Sequence, residues 1–174
     1  MATKRKNKMN IFYLSPHPKI AAKWHCDKHI VKMILEYAQL LSTAHHELDG
    51  VPSIECYKST HKNHPSAVWA RENDKHYKWL WALLYETCKE YTRRYNKVHA
   101  TERKGIVQNL SNHPYELPQG TWREPPQCMP DEYKCENAVQ AYQDYYIGEK
   151  ADFAKWKHGK TPDWFSEGIK KCAA

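Results

Sequence analysis

Long apolar runs are missing from this 174-residue chain. The longest span only a few residues, against the ~20 that a membrane-spanning helix requires, so no segment is expected to cross a bilayer. The first eight residues carry Lys4, Arg5, Lys6 and Lys8 and lack the apolar centre of a secretory signal. The protein is therefore expected in the cytoplasm. No CxxC pair occurs among Cys26, Cys56, Cys88, Cys128, Cys135 and Cys172, which argues against a zinc ribbon. Without a secretory signal, these thiols are expected to be reduced and not disulfide-bonded. Low complexity is confined to the basic leader. Asn63-His64-Pro65 returns as Asn112-His113-Pro114, but three residues do not make a repeat.

What the chain does have is charge and aromatic bulk. A formal net charge of +7 and a pI near 9.0 favour an anionic partner, nucleic acid first. Part of that charge sits in residues 1–8, expected to be a disordered leader. Seven Trp, twelve Tyr and three Phe supply core material, while the mean hydropathy of -0.90 implies a heavily solvated exterior. The length suits one domain, able to bury about 70% of its unfolded surface.

The stretch His25 to Thr43, HCDKHIVKMILEYAQLLST, organises the rest. Wound at ~100° per residue, it places His25, His29, Lys32, Glu36, Gln39 and Thr43 in one polar stripe of roughly 80°. Ile30, Met33, Ile34, Tyr37, Leu40, Leu41 and Ala44 fill one flank, and Val31, Leu35 and Ala38 lie on the far side with Trp24. A helix apolar on both flanks is normally buried, and buried His, Lys and Glu must be paired, hydrogen-bonded or shifted in pKa. The stripe thus either lines a wet pocket or closes into an internal network.

Around it, Asn10 to Leu14 reads as a short buried strand or an extended segment, and Pro18 as an early residue of a short helix to Trp24. Asp27 is a candidate cap for the central helix, which ends before Asp49-Gly50. Residues 66 to 95 read as a long amphipathic helix of ~45 Å, with a break near Asn73-Asp74. A shorter helix is expected from Thr101, as cap, to Leu110. Residues 111 to 131 hold five prolines and read as a loop. Asp131 or Glu132 is expected to open the last main helix, with Gly148 ending it before a final turn through Phe153 and Trp156.

Each candidate site carries two readings. Lys32 and Glu36, at i,i+4, form either a structural ion pair or an imine-forming amine beside its acid/base partner. His25, Cys26 and His29 with His61 and His64 offer metal-ligand chemistry, but the spacing closes no set of four, and hydrogen bonding accounts for the same side chains. Asn63-His64-Pro65 is a phosphate-contacting loop or a capping turn. Tyr142, Tyr145, Tyr146 and Lys150, followed by Lys155-Trp156-Lys157, interleave aromatics with lysines, which suits unstacked bases and phosphates or, for the tyrosines, a core.

Met9-Asn10-Ile11-Phe12, Asp27-Lys28-His29 with Lys32, Glu36 and Gln39, Asn63-His64-Pro65 with Trp69, Pro130 to Lys134 and Tyr145 to Lys150 together resemble a phage-associated family of small proteins related to the pyrimidine-dimer DNA glycosylases of the endonuclease V type. The resemblance spans Met9 to about Phe165. It implies a compact helical fold that kinks DNA, flips a nucleotide, attacks the sugar C1′ with an amine and cleaves the strand by β-elimination. Two departures stand out. Characterised relatives use a processed N-terminal amine, whereas here Met9 follows the leader and Ala2 would be the exposed terminus; their catalytic Glu falls at His29.

The sequence thus predicts a mostly α, compact single-domain helical bundle with a long Pro-rich loop, comprising a leader 1–8, a domain 9–165 and a tail 166–174. It would bind DNA as a glycosylase/AP lyase, without metal or small-molecule cofactor, in the host cytoplasm if phage-encoded. Lys32 is the expected amine, Glu36 the acid/base and His29 a third catalytic residue. Substrate contacts are expected from His25, Lys28, Gln39, Asn63, His64, Tyr145, Tyr146 and Lys150. The alternatives are a non-catalytic factor binding nucleic acid or a host protein, and a metal-dependent hydrolase built on His25, His29, His61 and His64.

Overall fold

The computed structural model describes residues 9–174; the basic leader lies outside them. In chain order the helices are α1 (Pro18–Trp24), α2 (Asp27–Asp49), α3 (Pro65–Ala70), α4 (Asp74–Tyr95), α5 (Ala100–Arg103), α6 (Ile106–Asn109), α7 (Ala138–Tyr145) and α8 (Asp163–Ala173). A 3-10 turn covers Asp131–Tyr133, and a π-helical turn, Tyr146–Lys150, continues α7. No strand occurs among the described residues. None of their helices is long and apolar enough to cross a membrane.

The two long helices, α2 and α4, pack on each other, with α1 on α4 and α3 on α2. Residues 9 to 15 thread between these helices and the later part of the chain as an extended, fully buried segment. Such a segment has no ladder to satisfy its polar groups, so other partners must do it. The Phe12 N–H donates to the Tyr37 hydroxyl at 3.2 Å, and Asn10 accepts from the Tyr142 hydroxyl at 2.7 Å and donates to the Cys128 carbonyl at 2.8 Å.

The break near Asn73-Asp74 is where the sequence put it. Asn73 turns its side chain to accept from the N–H groups of Lys75 and His76, capping α4, and Asn96 ends that helix in the left-handed region. Thr101 is not a cap. His99 caps α5, and Gly105, at φ 80, separates α5 from α6, because a left-handed residue ends the helical run. Likewise Cys26, not Asp27, is the N-cap of α2. The expected helix from Asp131 is only a 3-10 turn, and α7 starts after Asn137, whose side chain accepts from Gln140 N–H. Gly148 does not stop it. A Cβ there would meet the Tyr133 hydroxyl at 2.3 Å and its ring at 2.4 Å, so its place is set by close packing. The C-terminal residues read as a tail are mostly helical, forming α8, with Phe165 buried on Trp156.

The Pro-rich loop is pinned by the residues that precede and open α4. Trp69 donates its indole N–H to the Arg123 carbonyl at 2.9 Å, and Asn73 donates to the Thr121 carbonyl at 3.0 Å. His76, stacked on Trp69, donates from Nδ1 to the Trp69 carbonyl and accepts at Nε2 from Arg123 N–H.

Candidate nucleic-acid interface

The stripe begins at His29 and not at His25. His25 joins α1 to α2, so it is not on the α2 helix at all. Its ring is fully enclosed, with Nδ1 on the Ala21 carbonyl and Nε2 on the Tyr37 hydroxyl, both at 2.6 Å. Enclosed and with both nitrogens engaged, His25 presents no free ring nitrogen to a substrate. The far flank of α2 also differs from expectation: Val31 and Leu35 are 45% and 41% exposed. The helix is therefore sunk on one side only, and the stripe marks its waterline.

Along that line, His29 is buried, Lys32 exposed, Glu36 and Gln39 half-buried and Thr43 buried. His29 stacks on Phe12 at 4.1 Å with an 18° interplanar angle, and its Nδ1 lies 2.5 Å from the Tyr146 hydroxyl. Lys28 sits over the Phe153 ring at 4.4 Å, and Lys150 over Tyr145 at 4.6 Å and Phe153 at 5.8 Å. The cation–π contacts place these ammonium groups beside aromatic faces. Lys155 and Lys157 join the same end of α2: Asp27 donates its N–H to the Lys155 carbonyl and accepts from the Lys157 N–H, both at 2.8 Å.

Lys32 Nζ is 3.8 Å from Glu36 Oε1, with the lysine side chain 50% and the glutamate side chain 14% exposed. The expected desolvation of the Lys32 ammonium is thus not found; the buried member of the pair is the carboxylate. Burial raises the Glu36 pKa, opposed by Lys32 and His61. The loop that carries His61 is held against α2 by Thr43, whose hydroxyl donates to Gln39 and Thr60 carbonyls and accepts from Thr60 N–H. Asn63 is exposed in this loop, while His64 Nδ1 caps α3 through Ser66 N–H at 3.1 Å. His64 therefore serves the capping role.

Burial lowers the His29 pKa well below 6.5, helped by His25, Lys150, Lys32 and Lys28. His25 falls to about 4, chiefly by burial. Because the unfolded imidazole binds its proton near 6.5, the unfolded state takes up more protons between those values, and stability must fall as pH drops through the window. At about 1.4 kcal/mol per pH unit, His25 alone contributes about 3 kcal/mol at pH 7 that is lost toward pH 4. Denaturant unfolding at pH 7, 6 and 5 should show this slope, and a flat profile would contradict it.

Tyr145 and Tyr146 are both buried, so neither offers an open face for base stacking. Sequence reasoning missed Phe12 and Phe153, which form the apolar bed of the site, and gave His61 only a metal role. Their signal was local: Phe12 precedes the first turn, and Phe153 follows the Tyr-Tyr-Ile-Gly-Glu-Lys stretch. No group of three or more His, Cys, Asp or Glu converges as a metal site among the described residues. A cavity of about 940 Å³ lies elsewhere, lined by Lys23, Trp24, Arg93, His158 and Trp164 between α1, α4 and the chain entering α8.

A buried imidazole ringed by lysines, next to a half-exposed amine and a sheltered carboxylate, is suited to gripping an anionic polymer and moving protons on it. The sequence profile of the family described as pyrimidine dimer DNA glycosylase matches residues 9–103, more than half of the chain. The chain belongs to the pyrimidine dimer DNA glycosylase family. No curated protein and no solved structure matched it. In this glycosylase-family chain the matched stretch runs from the buried N-terminal segment to the end of α5. It contains Lys28, His29, Lys32, Glu36, Asn63 and His64, whereas Tyr145, Tyr146 and Lys150 come from beyond it.

Proposed function

We propose that the protein is a DNA glycosylase with AP lyase activity, in which Lys32 attacks the sugar C1′ as the N-glycosidic bond breaks and the base leaves, the sugar ring opens to an imine, and Glu36 takes the C2′ proton as the 3′-phosphate departs in β-elimination. The observation that carries this reading is the Lys32–Glu36 contact on the α2 face of a chain in this family. An exposed amine is reachable by a sugar, and bound DNA would supply the desolvation that the free protein lacks. Lys28 and Lys150, seated on Phe153, would hold phosphates, with Lys155 and Lys157 extending the track. Gln39 and Asn63 border the same face. His25 acts only through Tyr37, and His64 through its loop.

Borohydride trapping on abasic-site duplex tests the reaction. A covalent adduct is expected with the wild type, lost in Lys32→Ala and kept in Lys28→Ala, whose binding should weaken. A trapped peptide at Ala2 would transfer the role to the N-terminal amine; no adduct at all would leave a DNA-binding protein. That second reading is favoured by one fact, the half-exposed state of Lys32, which suits a phosphate contact equally well.

Binding should also depend on salt, and only partly through the leader. Removing residues 1–8 deletes four cations and should flatten the slope of log affinity against log salt by at most about 4, while low-salt binding persists. Loss of all affinity in the truncated chain would place the DNA contacts in the leader and not on α2.

A further inference from the structure

The two buried histidines beside Tyr37 and Tyr146 look alike but are wired in opposite senses. His25 faces the Ala21 carbonyl through Nδ1. A carbonyl only accepts, so Nδ1 carries the proton and Nε2 accepts from the Tyr37 hydroxyl. At His29 the Nδ1 neighbour is the Tyr146 hydroxyl, which already accepts from the Cys26 backbone N–H at 3.4 Å. Its own proton has two directions, the Cys26 thiol or the imidazole nitrogen, and a neutral imidazole nitrogen is much the stronger acceptor. The hydroxyl therefore donates to Nδ1, and the ring proton of His29 is left on Nε2.

Nε2 of His29 has no hydrogen-bond partner among the described residues, and it is not one of the polar atoms sealed from solvent without a partner. The stack on Phe12 and the Phe153 edge at 5.7 Å hold the ring plane. The groups that bear on the ring are Lys28 and Lys32 from α2, Lys150 from the π-helical turn, His25 and Tyr146. Three cations disfavour a fourth charge at the same spot.

We propose that His29 is a permanently neutral hydrogen-bond donor, its Nε2–H binding a non-bridging phosphodiester oxygen between Lys28, Lys32 and Lys150, with Tyr146 as the positioning residue that fixes its tautomer. This rests on the DNA-binding reading above and assigns His29 no proton transfer. Lysines attract any phosphate as point charges, whereas a directed N–H donor selects one oxygen and so sets the register of the strand. A neutral donor serves here because it takes no counterion release and is insensitive to pH in the physiological range.

The salt dependence separates this role from that of a charged side chain. Equilibrium binding of the full chain to an abasic-site duplex over a salt series should be about 10- to 100-fold weaker in His29→Met at every salt, with the slope unchanged, as expected for loss of a hydrogen bond to a charged group. Lys28→Ala should instead reduce the slope by about 1. His29→Gln, whose amide can donate in place of Nε2, should recover part of the affinity. Nitrogen-15 spectra of the unaltered protein should show His29 protonated at Nε2 alone from pH 6 to 8, a state that Tyr146→Phe should abolish. An imidazolium or an Nδ1-protonated ring at pH 7 would overturn the proposal, as would His29→Met binding at wild-type strength. If the wild type binds no DNA at low salt, the DNA-binding reading falls, and this proposal with it.

Discussion

Arg94→Ala is expected to destabilise the protein by ~3–5 kcal/mol, the cost of leaving a buried charge without its partner, and so to lower the melting temperature by roughly 10 °C at this chain length. The Arg94 side chain is 0% exposed. It donates from Nε to Glu90 at 2.9 Å, from Nη1 to Asp27 at 3.1 Å and to the His25 carbonyl at 2.9 Å, and from Nη2 to the Lys23 carbonyl at 3.0 Å. One guanidinium thus ties the end of α4 to the end of α1 and the start of α2. Truncation leaves Glu90 buried with Arg93 as its remaining partner and strips two carbonyls of their donors. Arg94→Lys should recover little, because a single ammonium cannot serve a planar fork of four acceptors. Thermal unfolding of both variants checks this. A melting temperature within about 2 °C of wild type for Arg94→Ala would mean that water replaces the guanidinium there and that the junction has little energetic weight.

Glu36→Gln is expected to slow β-elimination by about 10²- to 10⁴-fold while changing DNA affinity by less than about threefold, because the proposed role of the carboxylate is to move protons and not to grip an anion. The geometry supports the asymmetry: Glu36 is the sheltered member of its pair, and burial raises its pKa above the ordinary 4.5. A base that has to be ionised then sets an acid limb in the rate profile above pH 4.5, and the amide variant should lack it. Single-turnover cleavage of abasic duplex across pH separates the step from binding. Equal rates for Glu36→Gln and wild type would leave Lys32–Glu36 as an ion pair without a chemical role, and would direct the search for a base to His61 in the loop that Thr43 holds against α2.

What sequence alone determined about this protein follows from periodicity and from chain-local chemistry. The apolar spacing at Ile30, Met33, Ile34, Tyr37, Leu40 and Leu41 and at Tyr77, Leu80, Leu83, Leu84 and Cys88 placed α2 and α4 with their buried faces, since a helix must bury the residues recurring at its own period. Pro18 at a helix start, the break at Asn73 and the Pro-rich loop are equally local, because a ring without an N–H or a capping amide acts on its nearest neighbours. The family's residues in α2 were legible for the same reason. Partnership across the chain was not. His25 and His29 occupy the same stripe on a helical wheel, yet Ala21 and Tyr37 close one ring off while Tyr146, 117 residues away, engages one nitrogen of the other and the second has no partner among the described residues. Val31 and Leu35 looked as apolar as Ile30 and Ile34, and only the packing of α3 and α4 against a single side of α2 decided which pair meets water. Residue type and spacing determine what a side chain can do; desolvation and the choice of hydrogen-bond partner depend on which distant segments fold over it, and those are properties of the tertiary structure.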